Sequence, residues 1–207
     1  MKIDFRKFIL IIFMISGMTA LIYEIVWTRP LQLIFGSEIY AVSTILTTFF
    51  LGFSLGSYAF RNIADKIRNP KRLFAFLELG IGLYGFIILG LFKILPSIYL
   101  QLDFNGLQFI QFAVLFLVII IPTTLFGATW PIVNKIYVNS NTLGKDIGKL
   151  YSFNSFGSFI GTLIAGFLLI PLLGIKMTSI FVAIINILIA LIVLYFSKKM
   201  TGGKNEY

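Results

Sequence analysis

Neither cysteine nor histidine occurs in this 207-residue chain. Without thiols there is no disulfide and no thiolate metal site. Without imidazole, zinc-finger ligand sets and His-based catalysis are excluded, and so is the side chain that ordinarily titrates near neutral pH. Charge is scarce too: Asp, Glu, Lys and Arg make up 12% of the residues, about half of what soluble domains carry. Any proton chemistry falls to carboxylates. What abounds is apolar, with 58% hydrophobic residues and a mean hydropathy of +0.97.

A spanning helix needs roughly 20 apolar residues, and six segments qualify: 8–28, 38–60, 73–95, 107–134, 148–171 and 177–197. The first is too long for a removable signal peptide and lacks a small-residue cleavage site. Short connections and a short tail, 198–207, leave no room for a soluble domain, so 1–207 is expected to be one all-α membrane domain. Cytoplasmic loops retain Lys and Arg. The amino end, the 61–72 loop, the 135–149 region and the tail hold 14 of the 17 basic residues, against Arg29, Lys93 and Lys176 on the other side. Both termini are therefore expected in the cytoplasm of a multi-pass cell-membrane protein. The net charge of +9 follows from topology and needs no nucleic acid.

Two spans resemble each other. In "IYAVSTILTTFFLGFSLG" and "LYSFNSFGSFIGTLIAGF", Tyr40 matches Tyr151, Ser43 matches Asn154, Thr44 matches Ser155 and Thr47 matches Ser158. With opposite directions through the bilayer, this predicts two three-helix units of inverted topology, a 3+3 repeat. Gly52 and Gly56, like Gly157 and Gly161, are spaced for close helix packing within the chain. "GIGLYG" at 80–85 spells the dinucleotide pattern, but that motif works only between a strand and the opening of a helix. Inside an apolar span it implies packing, and no cofactor is expected.

The fourth span contains "PTTLFGATWP". Pro122 and Pro131 each remove a backbone donor, and the freed carbonyls need partners in protein or in a wet cavity. Thr123, Thr124 and Thr129 are candidates. A plain kink and a gate involving Pro122, Thr123, Gly127 and Pro131 are both open readings. Two acids lie within the spans. An acid at the bilayer centre costs about 3 kcal/mol and usually faces an interior or a cavity. Glu24 is one turn from Trp27 and Arg29 and can reach interfacial water. Glu78 lies about 9 Å inward of Arg72 at 1.5 Å per residue, too deep for its short stem.

Taken together, "LIYEIVWTR", "GSEIYAVST", "LGFSLGSYAF", "LELGIGLYG", "PTTLFGATWP" and "GKLYSFNSFGSFIGTLIAGFLLIPLLG" resemble the transmembrane region of membrane-bound spermidine synthase-like proteins. The resemblance covers about residues 10–197. It implies a fold like half of a major facilitator superfamily transporter. The soluble aminopropyltransferase domain of that family, with its catalytic acids, has no counterpart here, so spermidine synthesis is not carried over and no enzyme is expected. "RNIADKIRNPKR" is similar to the superfamily loop between helices two and three. Asp65, Lys66, Lys71 and Arg72 approximate its acid and basic cluster, though Arg61 stands where that family has Gly.

Those superfamily transporters use two six-helix halves, so the resemblance implies a parallel homodimer enclosing a cavity and working by alternating access. Glu24 and Glu78, doubled, would make that cavity acidic and suited to a small cation: a polyamine, a proton or, ranked lower, a metal ion. Tyr23, Trp27, Tyr40 and Tyr84 offer cation–π surfaces, with interfacial or packing roles as the alternative for Tyr23 and Trp27, and Asn154 adds a polar contact. The alternative function is a non-transporting scaffold in the lipid bilayer that anchors a separately encoded, soluble aminopropyltransferase.

Overall fold

The computed structural model describes residues 5–99 and 106–202, and within them the chain is helical with no strand. Lys2, Lys204 and the end of the expected tail lie outside the described residues. The helices are α1 (Phe5–Phe35), α2 (Glu38–Lys66), α3 (Pro70–Tyr99), α4 (Leu107–Tyr137), α5 (Leu143–Ile164) and α6 (Ile170–Gly202). Five stretches are long and apolar enough to cross a membrane, the fifth running from Ser140 to Lys198.

That last stretch is 59 residues long, about 88 Å if straight, nearly three times a hydrocarbon core of about 30 Å. It is not straight. The backbone leaves the helical region at Gly174, with φ 76° and ψ 168°, a conformation open to glycine and costly for other residues. Ahead of the break, Ala165–Leu169 form a π turn, a widening that often marks a functional position. The sequence signals neither feature beyond a lone glycine. α1 ends at Gly36, whose N–H bonds back to Gln32 O at 2.9 Å with φ +64°, the usual left-handed helix stop.

Helix packing follows a simple plan. α1 lies against α5, α2 against α4, and α3 against α6. The first two seams are made by small residues. Gly157 and Gly161 press on the Met14 and Met18 carbonyls, while Gly56 presses on Thr124 O and Gly127 on Phe53. Lipid offers no hydrophobic drive for helix association, so backbone approach of this kind supplies the packing. Gly82, within "GIGLYG", meets Ala183 O on α6, and Gly85 meets the Tyr23 ring.

The prolines of α4 show how the freed backbone is completed. Pro122 leaves Val118 O without its helical donor, and Tyr84 Oη on α3 donates to it at 2.8 Å. Pro131 does the same to Gly127 O, and Ser57 Oγ on α2 donates at 3.1 Å. The threonines nearby do not fill these gaps. Thr123 bonds to Ile119 O, Thr124 to Ile120 O and Thr129 to Phe126 O. Their side chains lie over the preceding turn of their own helix, so the open carbonyls are closed by neighbouring helices instead.

Replacing Gly157 by Ala should destabilise the fold by about 1–3 kcal/mol, because the added methyl overlaps the Met14 backbone. Gly90→Ala, where a Cβ meets nothing within 4 Å, should instead stabilise by roughly 0.5–1 kcal/mol. Thermal unfolding of the detergent-solubilised variants checks both signs.

Candidate functional site

Four helices, α1, α2, α4 and α5, leave a cavity of about 650 Å³ open on the flank of the bundle. Its walls alternate aromatic rings (Phe50, Phe53, Phe126, Trp130, Tyr151) with hydroxyl and amide groups (Ser16, Ser54, Ser57, Thr129, Asn154, Ser158). The polar groups do double duty. Asn154 Nδ2 donates to Phe13 O at 3.0 Å and Ser158 Oγ to Gly17 O at 3.1 Å, stitching α5 to α1. Ser57 stitches α2 to α4 in the same manner. Each keeps acceptor lone pairs for an occupant of the cavity.

Glu78 stands directly behind this wall. It is fully buried on α3, and Ser16 Oγ donates to its Oε1 at 2.5 Å. The other carboxyl oxygen, Oε2, is buried and has no hydrogen-bond partner among the described residues. Burying a carboxylate is costly unless its lone pairs are met, so the unpaired oxygen calls for a cation or a proton. Ser16 both lines the cavity and touches Glu78, and so links the two. The sequence offered no signal for it, since Ser16 and Glu78 are 62 positions apart.

The remaining expected residues are spread through the bundle. Of the expected substrate-binding set, Asn154 alone lines the cavity; Thr129 and Trp130 of the proline-flanked segment line it as well. Tyr23 and Trp27 are core residues, 0% and 1% exposed, with ring centroids 4.7 Å apart. Phe126 bridges Tyr23 to the cavity wall at 6.2 Å. Tyr84 is occupied with the Val118 carbonyl. Tyr40 is exposed and rests on Phe35. Glu24 is half-buried farther along α1 and stands apart from the cavity, so within one chain the expected pairing of two acids in one chamber is not met. Pro122, Thr123 and Gly127 are buried in α4, with Pro131 half-buried. Asp65 and Lys66 are exposed in the last turn of α2.

An unexpected latch closes the end of the bundle below the cavity. Arg6, at the start of α1, donates to Asp146 Oδ2 at 2.6 Å and to Tyr137 O at 3.1 Å, and lies 4.7 Å from the Tyr137 ring centre. Asp146 also accepts from Thr142 Oγ1 at 2.8 Å and from the Asn139 N–H at 3.0 Å. It occupies the first turn of α5, where a negative charge suits the helix dipole. Tyr137 is two turns, about 10 Å, from Trp130 in the cavity wall. Hydrogen bonds from Thr142 and Asn139, with the Arg6 charge, hold the Asp146 carboxyl below its usual range.

No protein-family model, curated protein or solved structure matches this chain.

The depressed Asp146 value means that the latch adds stability above the ordinary aspartate value of 3.8 and loses it as pH falls through the lower folded value. Wild-type protein should therefore melt above Asp146→Asn at pH 7. The gap should begin to narrow once pH falls below 3.8, as read by thermal unfolding across a pH series.

Proposed function

We propose that this chain is a small membrane transporter for an organic cation, a polyamine in the first instance, working as a parallel homodimer by alternating access. The observation that carries the reading is the cavity backed by Glu78. Aromatic walls attract ammonium groups through their faces, and the hydroxyls replace lost water. Ser16 gives its proton to Glu78 and keeps its lone pairs for an ammonium on the cavity side. The buried carboxylate then gains a counter-charge at the range of one intervening hydroxyl. A proton on Glu78 would meet the same need when the cavity is empty, which makes exchange of amine for proton the natural coupling.

The transporter reading includes six crossings, with Gly174 separating the fifth from the sixth, and a 3+3 inverted repeat. Paired contacts support the repeat. Ser57 bonds to Gly127 O as Ser158 bonds to Gly17 O. Thr129 bonds to Phe126 O as Thr19 bonds to Ser16 O. Gly56 packs on Thr124 O as Gly157 packs on Met14 O. In this register "SLGS" aligns with "SFGS", and Phe50 pairs with Tyr151 across the cavity. That places the equivalence ten residues away from the match of Tyr40 with Tyr151. Helices α1 and α5 run parallel, as do α2 and α4, as an inverted pair of units requires.

The dimer is supported by the cavity being open on its flank, rimmed by Phe50 and Tyr151 at 73% and 62% exposure. A second copy against this face would close the chamber. Both termini then lie in the cytoplasm of the cell membrane, in keeping with the 14 basic residues on that side.

Glu78→Gln keeps the shape and removes the charge. In proteoliposomes it should lower spermidine uptake at least about tenfold, which is about 1.4 kcal/mol of lost interaction, and abolish spermidine-induced thermal stabilisation. Unchanged responses would sink the cation reading. Absence of uptake in the wild type, together with co-purification of a soluble aminopropyltransferase, would replace it with the anchoring role.

A further inference from the structure

A second, smaller cavity of about 340 Å³ lies at the opposite end of the bundle from the latch, between α1, α3 and α6. Two cations line it, Lys93 from α3 and Lys176 from α6, together with Trp27, Pro30, Phe92 and Ile175. We propose that this cavity binds a phosphate-bearing anion.

Three observations converge. Only three basic residues fall on that side of the chain, and two of them, from different helices, line this single cavity. Two lysine side chains bordering one space make its potential positive, which an anion there relieves. Trp27 supplies the third. Its ring is buried in the wall, and Nε1–H has no acceptor among the described residues. A buried donor left unpaired is costly; the N–H is sealed at the cavity wall, and a phosphate oxygen reaches it once a side chain of the wall moves aside.

Among the described residues the lining contains no carboxylate. Each Lys alone could be explained by its stem lying along apolar surface with the head in water. Their convergence from two helices on one walled space is not. The other walls are aliphatic and aromatic, which suits a group whose phosphate is attached to an apolar body. The same chemistry is met by a lipid headgroup in the adjoining leaflet or by a small phosphorylated solute. The proposal does not depend on the cation-transport reading, since it uses a different cavity and different residues.

Native mass spectrometry of the full detergent-purified chain tests it, using phosphatidylglycerol, phosphatidylcholine and inorganic phosphate as separate probes. Lys93→Gln combined with Lys176→Gln changes exposed positions only and should leave the fold intact. The wild type should hold phosphatidylglycerol in preference to phosphatidylcholine, and the double variant should bind it about tenfold more weakly. Trp27→Phe, which keeps an aromatic ring and removes the N–H, should weaken binding in the same direction. Stabilisation by inorganic phosphate, lost in the double variant and without preference among lipids, would assign the cavity to a soluble anion. Retention of every probe unchanged in the double variant, or no phosphate probe bound by the wild type, would overturn the proposal.

Discussion

Close contact between backbones is the constraint on which this structure rests. In a bilayer core no water completes an open carbonyl or amide, so each must be met inside the protein. The α1–α5 and α2–α4 seams do this with one device used twice: a glycine brings two helices together, and a serine or asparagine on one donates to a carbonyl of the other. Contact of this kind fixes the two helices along their length as well as across it. A cavity bounded by such seams keeps its shape because its walls are also its ties.

The prolines of α4 become intelligible from the same constraint. Each opens a carbonyl, and each opened carbonyl is taken by a side chain from a different helix: Tyr84 from α3 and Ser57 from α2. A proline in this setting exchanges a bond within a helix for a bond between helices. α4 is thereby tied on two sides, and Ser57 is held where it also meets the cavity. The break in local regularity and the shaping of the chamber are one event.

Much of the architecture was legible in composition and spacing. Apolar runs announced the helices, and the glycines four apart announced the seams, because both signals are local. What could not be read is non-local. Nothing near Ser16 points to Glu78, and nothing near Arg6 points to Asp146, 140 residues away. For Val118 and Gly127 the sequence points to the adjacent threonines as donors, because proximity along the chain is the only distance a sequence offers. Tyr23 and Trp27 carry the aromatic chemistry expected of a binding surface, yet their size makes them core fillers first. The expectation that Glu78 lies too deep to reach water agrees with its full burial, whereas its contact with Ser16 has no local signal.

The pairing of α1 with α5 has a consequence for how the chain is made. α1 is synthesised first, while the surface it packs against emerges more than a hundred residues later. Until then the strip of α1 at Met14, Gly17 and Met18 has no α5 seam to cover it. α2 waits for α4 in the same way. Such late partnering slows assembly, because distant segments must meet before their contacts repay the ordering. The helical hairpins leaving the ribosome are thus provisional, and the final tertiary arrangement can set only after residue 161 has entered the bilayer.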